Sequence, residues 1–176
     1  MSRPWLHVNE IEYRRYTLWF IYACVIYSII GFSWGAIMGG MEDFRHFVDH
    51  RAHGKLIVRA HTHINLLGWV EMAIFAAIYY VVPRLVQRPI YSLRLVKVHF
   101  WTHNIGLIGM VVFFSVAGTL GGVAAVESGL EAAERIVAPL LAIMGLFGTV
   151  VLAANCIWAY NIFRTCAGWE KTYESL

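Results

Sequence analysis

The chain has 176 residues, of which 59% are hydrophobic and 14% charged, and its mean hydropathy is +0.60. That balance lies outside the range of soluble globular domains and identifies an integral membrane protein. The net charge of +3 is carried by the loops of one side and calls for no nucleic acid partner.

A hydrocarbon core of about 30 Å takes about 20 residues of helix to cross. Four apolar stretches are long enough, at roughly 16–39, 56–82, 98–123 and 136–162. The expectation is an all-α fold: a single integral-membrane four-helix bundle over residues 1–176, with tails and short loops between the helices. The first ten residues are polar and of mixed charge, without the apolar core and small-residue cleavage site of a signal peptide.

Trp5, Tyr13, Tyr16 and Trp19 lead into the first helix, as expected where a helix crosses the headgroup region. Gly31, Gly35, Gly39 and Gly40 near its end would let another helix approach closely. The following loop contains Phe44-Arg45-His46-Phe47-Val48-Asp49-His50-Arg51-Ala52-His53. If it is helical, His46 and His50 share a face. An interfacial amphipathic helix with its histidines in water is favoured there over a metal or haem site.

The second helix opens with Arg59-Ala-His61-Thr-His63-Ile-Asn65-Leu-Leu-Gly68-Trp69-Val-Glu71. Ionisable groups inside a bilayer are costly and read by default as functional. Successive α-helical residues are turned by about 100°, so His61 and His63 point in nearly opposite directions. One flat cofactor cannot take both, whereas a helix standing between two cofactors can give an imidazole to each. A lone histidine would be read as a hydrogen bond across a helix interface; the pair favours ligation. Glu71 is a candidate proton relay group, or a partner for a polar side chain such as Asn155. Pro83 and the basic loop after it stop this helix.

The third helix begins with His99-Phe-Trp-Thr-His103. Its two histidines lie one turn apart on one face, a candidate second metal or haem site or, with Trp101, a quinone pocket; interfacial anchoring is the plainer reading. Because the second and third helices are antiparallel, His99 and His103 are expected near the inner surface, most of the bilayer away from His61 and His63. The fourth helix carries no histidine, and its Met144 is a weaker ligand candidate.

Lys and Arg near the helix ends set orientation. Arg3, Arg14, Arg15, Arg84, Arg88, Arg94, Lys97, Arg164 and Lys171 fall on one side. Arg45, Arg51, Lys55, Arg59 and Arg135 fall on the other, among six acidic residues. Both termini are therefore expected in the cytoplasm, with the chain in a bacterial inner membrane. Cys24, Cys156 and Cys166 fall on the reducing side and are expected as free thiols. No Cys-x-x-Cys-His occurs, so covalent haem attachment is not indicated.

The run from Arg59 through Trp69, followed by Tyr79-Tyr80-Val-Val-Pro83, resembles the second helix of the catalytic subunit I of haem–copper oxidases, particularly the nitric oxide reductase and cbb3-type branches. The resemblance implies that His63 is an axial ligand of a low-spin haem b. Family members have about twelve helices in three arcs of four, with metal ligands mainly on the second helix of each arc. One such helix carries His-x-His and serves two haems. This chain resembles one arc, without the separate helix that carries the copper ligands.

A cyclic homotrimer would restore the missing ligands, each second helix giving His63 to one haem and His61 to the next. Gly68, on the His61 face, would leave room for a flat macrocycle. Arg59, Arg51 and Lys55 would pair haem propionates, and Asn65 would orient an imidazole.

Three functions follow. The leading one is a membrane haem b electron-transfer protein, its iron closed by two histidines and its partner a redox protein or a quinone. The first alternative is a reduced oxidase or nitric oxide reductase, an oxidoreductase needing a further haem or copper. The second is a haem-free metal transporter or interaction subunit.

Overall fold

The computed structural model describes residues 4–50 and 53–167, with side chains from residue 10 onward except His50. Arg3, Arg51 and Lys171, named above for orientation or propionate pairing, lie outside the described residues. Those residues are all helical between short turns. We label the helices α1 (Pro4–Gly40), α2 (Glu42–His50), α3 (Lys55–Leu85), α4 (Leu93–Glu127) and α5 (Leu130–Cys166).

Four of these, α1 from Glu10 onward, α3, α4 and α5, are long and apolar enough to cross a membrane. Each runs beyond its apolar stretch at one end or both. Hydropathy marks the part in hydrocarbon, whereas the backbone stays helical into the interface until a specific stop. At Pro83 the helix continues to Leu85 and then closes through Val86 N–H to the Val82 carbonyl and Arg88 N–H to the Pro83 carbonyl, both at 3.0 Å. Ser92 starts α4 by accepting from the Leu95 amide. Gly129, at φ +88°, makes the turn into α5, a backbone conformation that a side chain would disfavour.

Small residues set how the helices meet, as expected where apolar lipid offers no hydrophobic drive for association. A Cβ at Gly106 would lie 2.7 Å from Val151 Cγ2, and one at Gly109 would run into the Phe147 ring, so α4 lies directly along α5. A Cβ at Gly118 would lie 2.7 Å from Ile57 Cγ1, joining α4 to α3. Of the glycines late in α1, Gly31 and Gly35 face Asn65 and His61 of α3, while Gly39 and Gly40 face open space.

The expected loop helix is present as α2, and its Phe47 ring fills the notch over Gly122. His46 Nε2 lies 3.5 Å from Glu42 Oε1 one turn earlier, both exposed. At the opposite end the turn between α3 and α4 is clamped to α5. Asn161 accepts from Ser92 N–H and donates to the Ser92 carbonyl, both at 3.0 Å, and Thr165 Oγ1 accepts from the Tyr91 amide. Cys24, Cys156 and Cys166 are free.

Candidate functional site in the second spanning helix

Within α3 the backbone widens from α to π geometry over Ile64–Val70, a feature frequent at functional sites. There the Glu71 amide bonds to the Leu66 carbonyl, five residues back. The Leu67 carbonyl, which Glu71 would serve in an α-helix, is taken instead by His103 Nε2 of α4 at 3.1 Å. The widening thus joins α3 to α4 through one imidazole.

Above it, His61 and His63 point apart, as their spacing requires. His63 faces α4, its ring 5.0 Å from Phe114. Its Nδ1 lies 2.7 Å from the Arg59 carbonyl. A carbonyl only accepts, so Nδ1 carries the proton and neutral His63 keeps a bare lone pair on Nε2. Metal-ligating histidines are set up in this way, their second nitrogen bonded to a carbonyl or carboxylate.

His61 faces α1, with Trp34 at 6.3 Å between ring centroids and Gly35 beneath it. Asn65 Nδ2 donates to the His61 carbonyl at 2.9 Å and lies 3.2 Å from His61 Nδ1, while Asn65 Oδ1 faces Gly31. Asn65 thus lies one turn from His61 with its Nδ2 toward the imidazole. It leaves the proton of neutral His61 on Nε2, so ligation through that atom requires the amide to turn over.

The room expected above Gly68 is not free. A Cβ there would lie 2.8 Å from the Tyr27 ring, so this glycine admits α1 and not a macrocycle. Arg59 and Lys55 line a cavity of 460 Å³ with His53, Leu56 and Glu134 at the same end of the bundle. Their cationic groups suit carboxylates there.

The depth expected for the third-helix histidines also needs correcting. His99 and His103 are 0% exposed, so neither anchors at the interface. His103 meets Leu67, only four residues after His63 and so about 6 Å further along α3. α4 already begins at Leu93 and seats Gly118 on Ile57 of α3, so His99 and His103 lie deeper than equal spans at equal depths anticipate. Nor do the two histidines share a pocket with Trp101. That ring is half exposed and stacks edge-on against Trp19, on the far side of α4. It lines a 600 Å³ apolar groove between α1 and α4, whose polar floor is the Tyr27 hydroxyl donating to Asn104 Oδ1 at 2.6 Å.

His99 and His103 surround Phe75 instead, at 4.4 and 5.3 Å between centroids, with Trp158 of α5 at 5.1 Å. Tyr79 hydroxyl and His99 Nδ1 are 3.0 Å apart, and Tyr13 donates to the Tyr79 carbonyl. Glu71 lies beside Asn155, whose Nδ2 donates to the Val151 carbonyl at 3.2 Å, and its Oε2 lies 3.7 Å from His103 Nε2. That separation exceeds hydrogen-bonding range. Among the described residues no three or more His, Cys, Asp and Glu side chains are grouped so as to hold a metal ion. Sequence reasoning assigned Tyr79 only to a motif and missed Trp158, Tyr27 and Asn104. A phenol and an amide that meet between α1 and α4, and an indole that α5 brings against Phe75, carry no local signal of where packing puts them.

Known proteins share this sequence pattern. Cytochrome c oxidase subunit 1 of Rhodobacter capsulatus is 33% identical over 121 residues, covering 64% of this chain and 23% of that protein. A bacteroid cytochrome c oxidase subunit 1 homolog of Bradyrhizobium diazoefficiens is 31% identical over 150 residues, covering 80% and 27%. The cbb3-type cytochrome c oxidase subunit CcoN1 of Stutzerimonas stutzeri is 30% identical over 119 residues, covering 60% and 24%. The chain spans about a quarter of the length of these relatives. Residues 5–151 match the family described as cytochrome C and quinol oxidase polypeptide I, and a match over most of the helical bundle, π-widened α3 included, means that the protein belongs to that family.

Proposed function

We propose that the chain is a membrane haem b protein that passes electrons, with His63 Nε2 as an axial ligand. The observation that carries this reading is the Nδ1–H of His63 held on the Arg59 carbonyl at 2.7 Å, which leaves Nε2 free to ligate. Membership in an oxidase family supports it, since haem and copper are the cofactors of such subunits. When bound, the haem supplies the one-electron chemistry. This chain's residues bind and orient it: Arg59 and Lys55 at the outer cavity would take the propionates.

Within the protomer the ring against His63 is Phe114, not a second imidazole. We assign the second axial position to His61 of a neighbouring copy in a cyclic homotrimer, with Asn65 turning to accept from Nδ1–H. Two imidazoles on iron leave no position for a small substrate, which favours relay over oxygen or nitric oxide reduction. The basic ends carrying Arg14, Arg15, Arg84, Arg88, Arg94 and Arg164 are assigned to the cytoplasmic side of a bacterial inner membrane. A quinone or a redox protein would supply or accept the electron, and Glu71 is the proton relay candidate.

Haem per chain, measured in purified His63→Ala and His99→Ala proteins, tests the assignment. His63→Ala is expected to lose haem and His99→Ala to keep it, with reduced bands that carbon monoxide leaves unchanged. Equal loss in both variants would refute His63 as the ligand.

A further inference from the structure

The apolar groove between α1 and α4 runs along α4 from Phe100 to Val112 and along α1 from Trp19 to Ile30. At 1.5 Å per residue its length is about 18 Å, little more than half of a hydrocarbon core about 30 Å thick. A volume of 600 Å³ over that length gives a mean cross-section of about 33 Å². A helix about 10 Å across needs more than twice that area, whereas a single hydrocarbon chain fits.

One end of the groove lies at the basic surface. Trp19 and Trp101 meet there at 5.8 Å between ring centroids, as aromatic side chains do at the headgroup level. The Arg15 guanidinium stands over the Trp19 ring, 5.4 Å from its centroid. Its neighbours are matched, Arg14 by Glu10 at 2.5 Å and Lys97 by Glu12. Arg15 itself has no carboxylate partner among the described residues. The other end, at Ile30 and Val112, is apolar and falls near the middle of the bilayer.

Within the groove the polar side chains are bonded. Tyr27 donates to Asn104 Oδ1, and Asn104 Nδ2 donates to the Phe100 carbonyl, both at 2.6 Å. Among the described residues, the buried side-chain atoms without a hydrogen-bond partner belong to Glu71, His99, His103 and Trp158, and none of these lines the groove. A ligand with a polar ring deep in the hydrocarbon, such as a quinone, meets no buried atom here that lacks a partner. An amphiphile whose polar part stays at the surface needs none.

We propose that this groove holds one acyl chain of a phospholipid from the leaflet on the basic side, with the lipid phosphate on Arg15. The phosphate supplies the anion that Arg15 lacks, through a charge-assisted hydrogen bond. The chain covers apolar side chains such as Ile26 and Ile108, which are 54% and 51% exposed in the protein alone. Charge holds the head and shape holds the tail. The inference uses no haem and stands apart from the assignment of His63.

Native mass spectrometry of the full chain in mild detergent, titrated with phosphatidylglycerol or with diacylglycerol, tests it. The wild type is expected to keep one phosphatidylglycerol per chain and to bind it about tenfold more tightly than diacylglycerol, which has no phosphate. Arg15→Gln should close that gap, whereas Arg14→Gln, whose cation is taken by Glu10, should leave it. Ile108→Trp fills the groove from its exposed side and should abolish retention of both lipids. Ile105→Trp, equally exposed on α4 but outside the groove, should retain them. Equal binding of the two lipids by the wild type, a gap that survives Arg15→Gln, or tryptophan variants that behave alike would each overturn the proposal. So would a quinone bound in place of phospholipid, or a dimer that carries no lipid.

Discussion

Single atoms decide what each histidine of this protein can do. The Nδ1–H of His63 is held by a carbonyl one turn back in its own helix, which leaves Nε2 free and needs only the sequence-local geometry of α3. His61 depends on Asn65, whose amide has two orientations with opposite consequences for the imidazole proton. Asn65→Ala is therefore expected to leave the helices intact and to weaken haem binding about 10–100-fold, the usual cost of removing a ligand's hydrogen-bond partner. Haem titration of the purified variant against wild type measures it. Equal affinity would mean that His61 takes no part in ligation.

At the scale of the element, the π-widened stretch of α3 is the feature on which the interior depends. It behaves as one extra residue in an α-helix, displacing every side chain after it by about 100°. Deleting Leu66, whose side chain is exposed, should restore α register with Glu71 in place and return the Leu67 carbonyl to the Glu71 amide, away from His103. Leaving His103 Nε2 buried without its carbonyl costs about 1–3 kcal/mol. For a chain of this size that lowers Tm by about 2–4 °C per kcal/mol. A thermal melt of the deletion variant measures it, and an unchanged Tm would remove the widening from the list of structural requirements. Gly68→Ala probes the contact with α1. Its Cβ would meet the Tyr27 ring at 2.8 Å, and overpacking of this kind costs about 1–3 kcal/mol. Gly145→Ala, where nothing lies within 4 Å, should be neutral in the same melt.

The whole molecule raises the question of how many copies make the working unit. His61 and His63 leave opposite faces of one helix, toward α1 and toward α4. A ring of three copies uses all six imidazoles, whereas a two-fold pair leaves one set idle. Native mass spectrometry in mild detergent is expected to find a trimer with haem bound, and His61→Ala subunits mixed into it should remove haems in proportion to the interfaces affected. A monomer with a full haem complement would sink the shared-site arrangement.

Composition and helical periodicity by themselves determined the membrane-spanning, all-helical architecture. About 20 apolar residues suffice to cross a bilayer, and helices satisfy their own backbone there. The opposed directions of His61 and His63, and the pairing of Asn65 with His61, were equally legible because they depend only on residues within one or two turns. Only the tertiary structure decided how deep α4 sits against α3. That register follows from the notch at Gly118, which takes Ile57 of α3, and from the bond between His103 and the Leu67 carbonyl. It moved His99 and His103 from the expected inner surface to the sealed interior and set Tyr27 where a macrocycle was expected over Gly68. It also gathered Glu71, His99, His103 and Trp158 from three helices, a convergence that packing creates and no local pattern encodes.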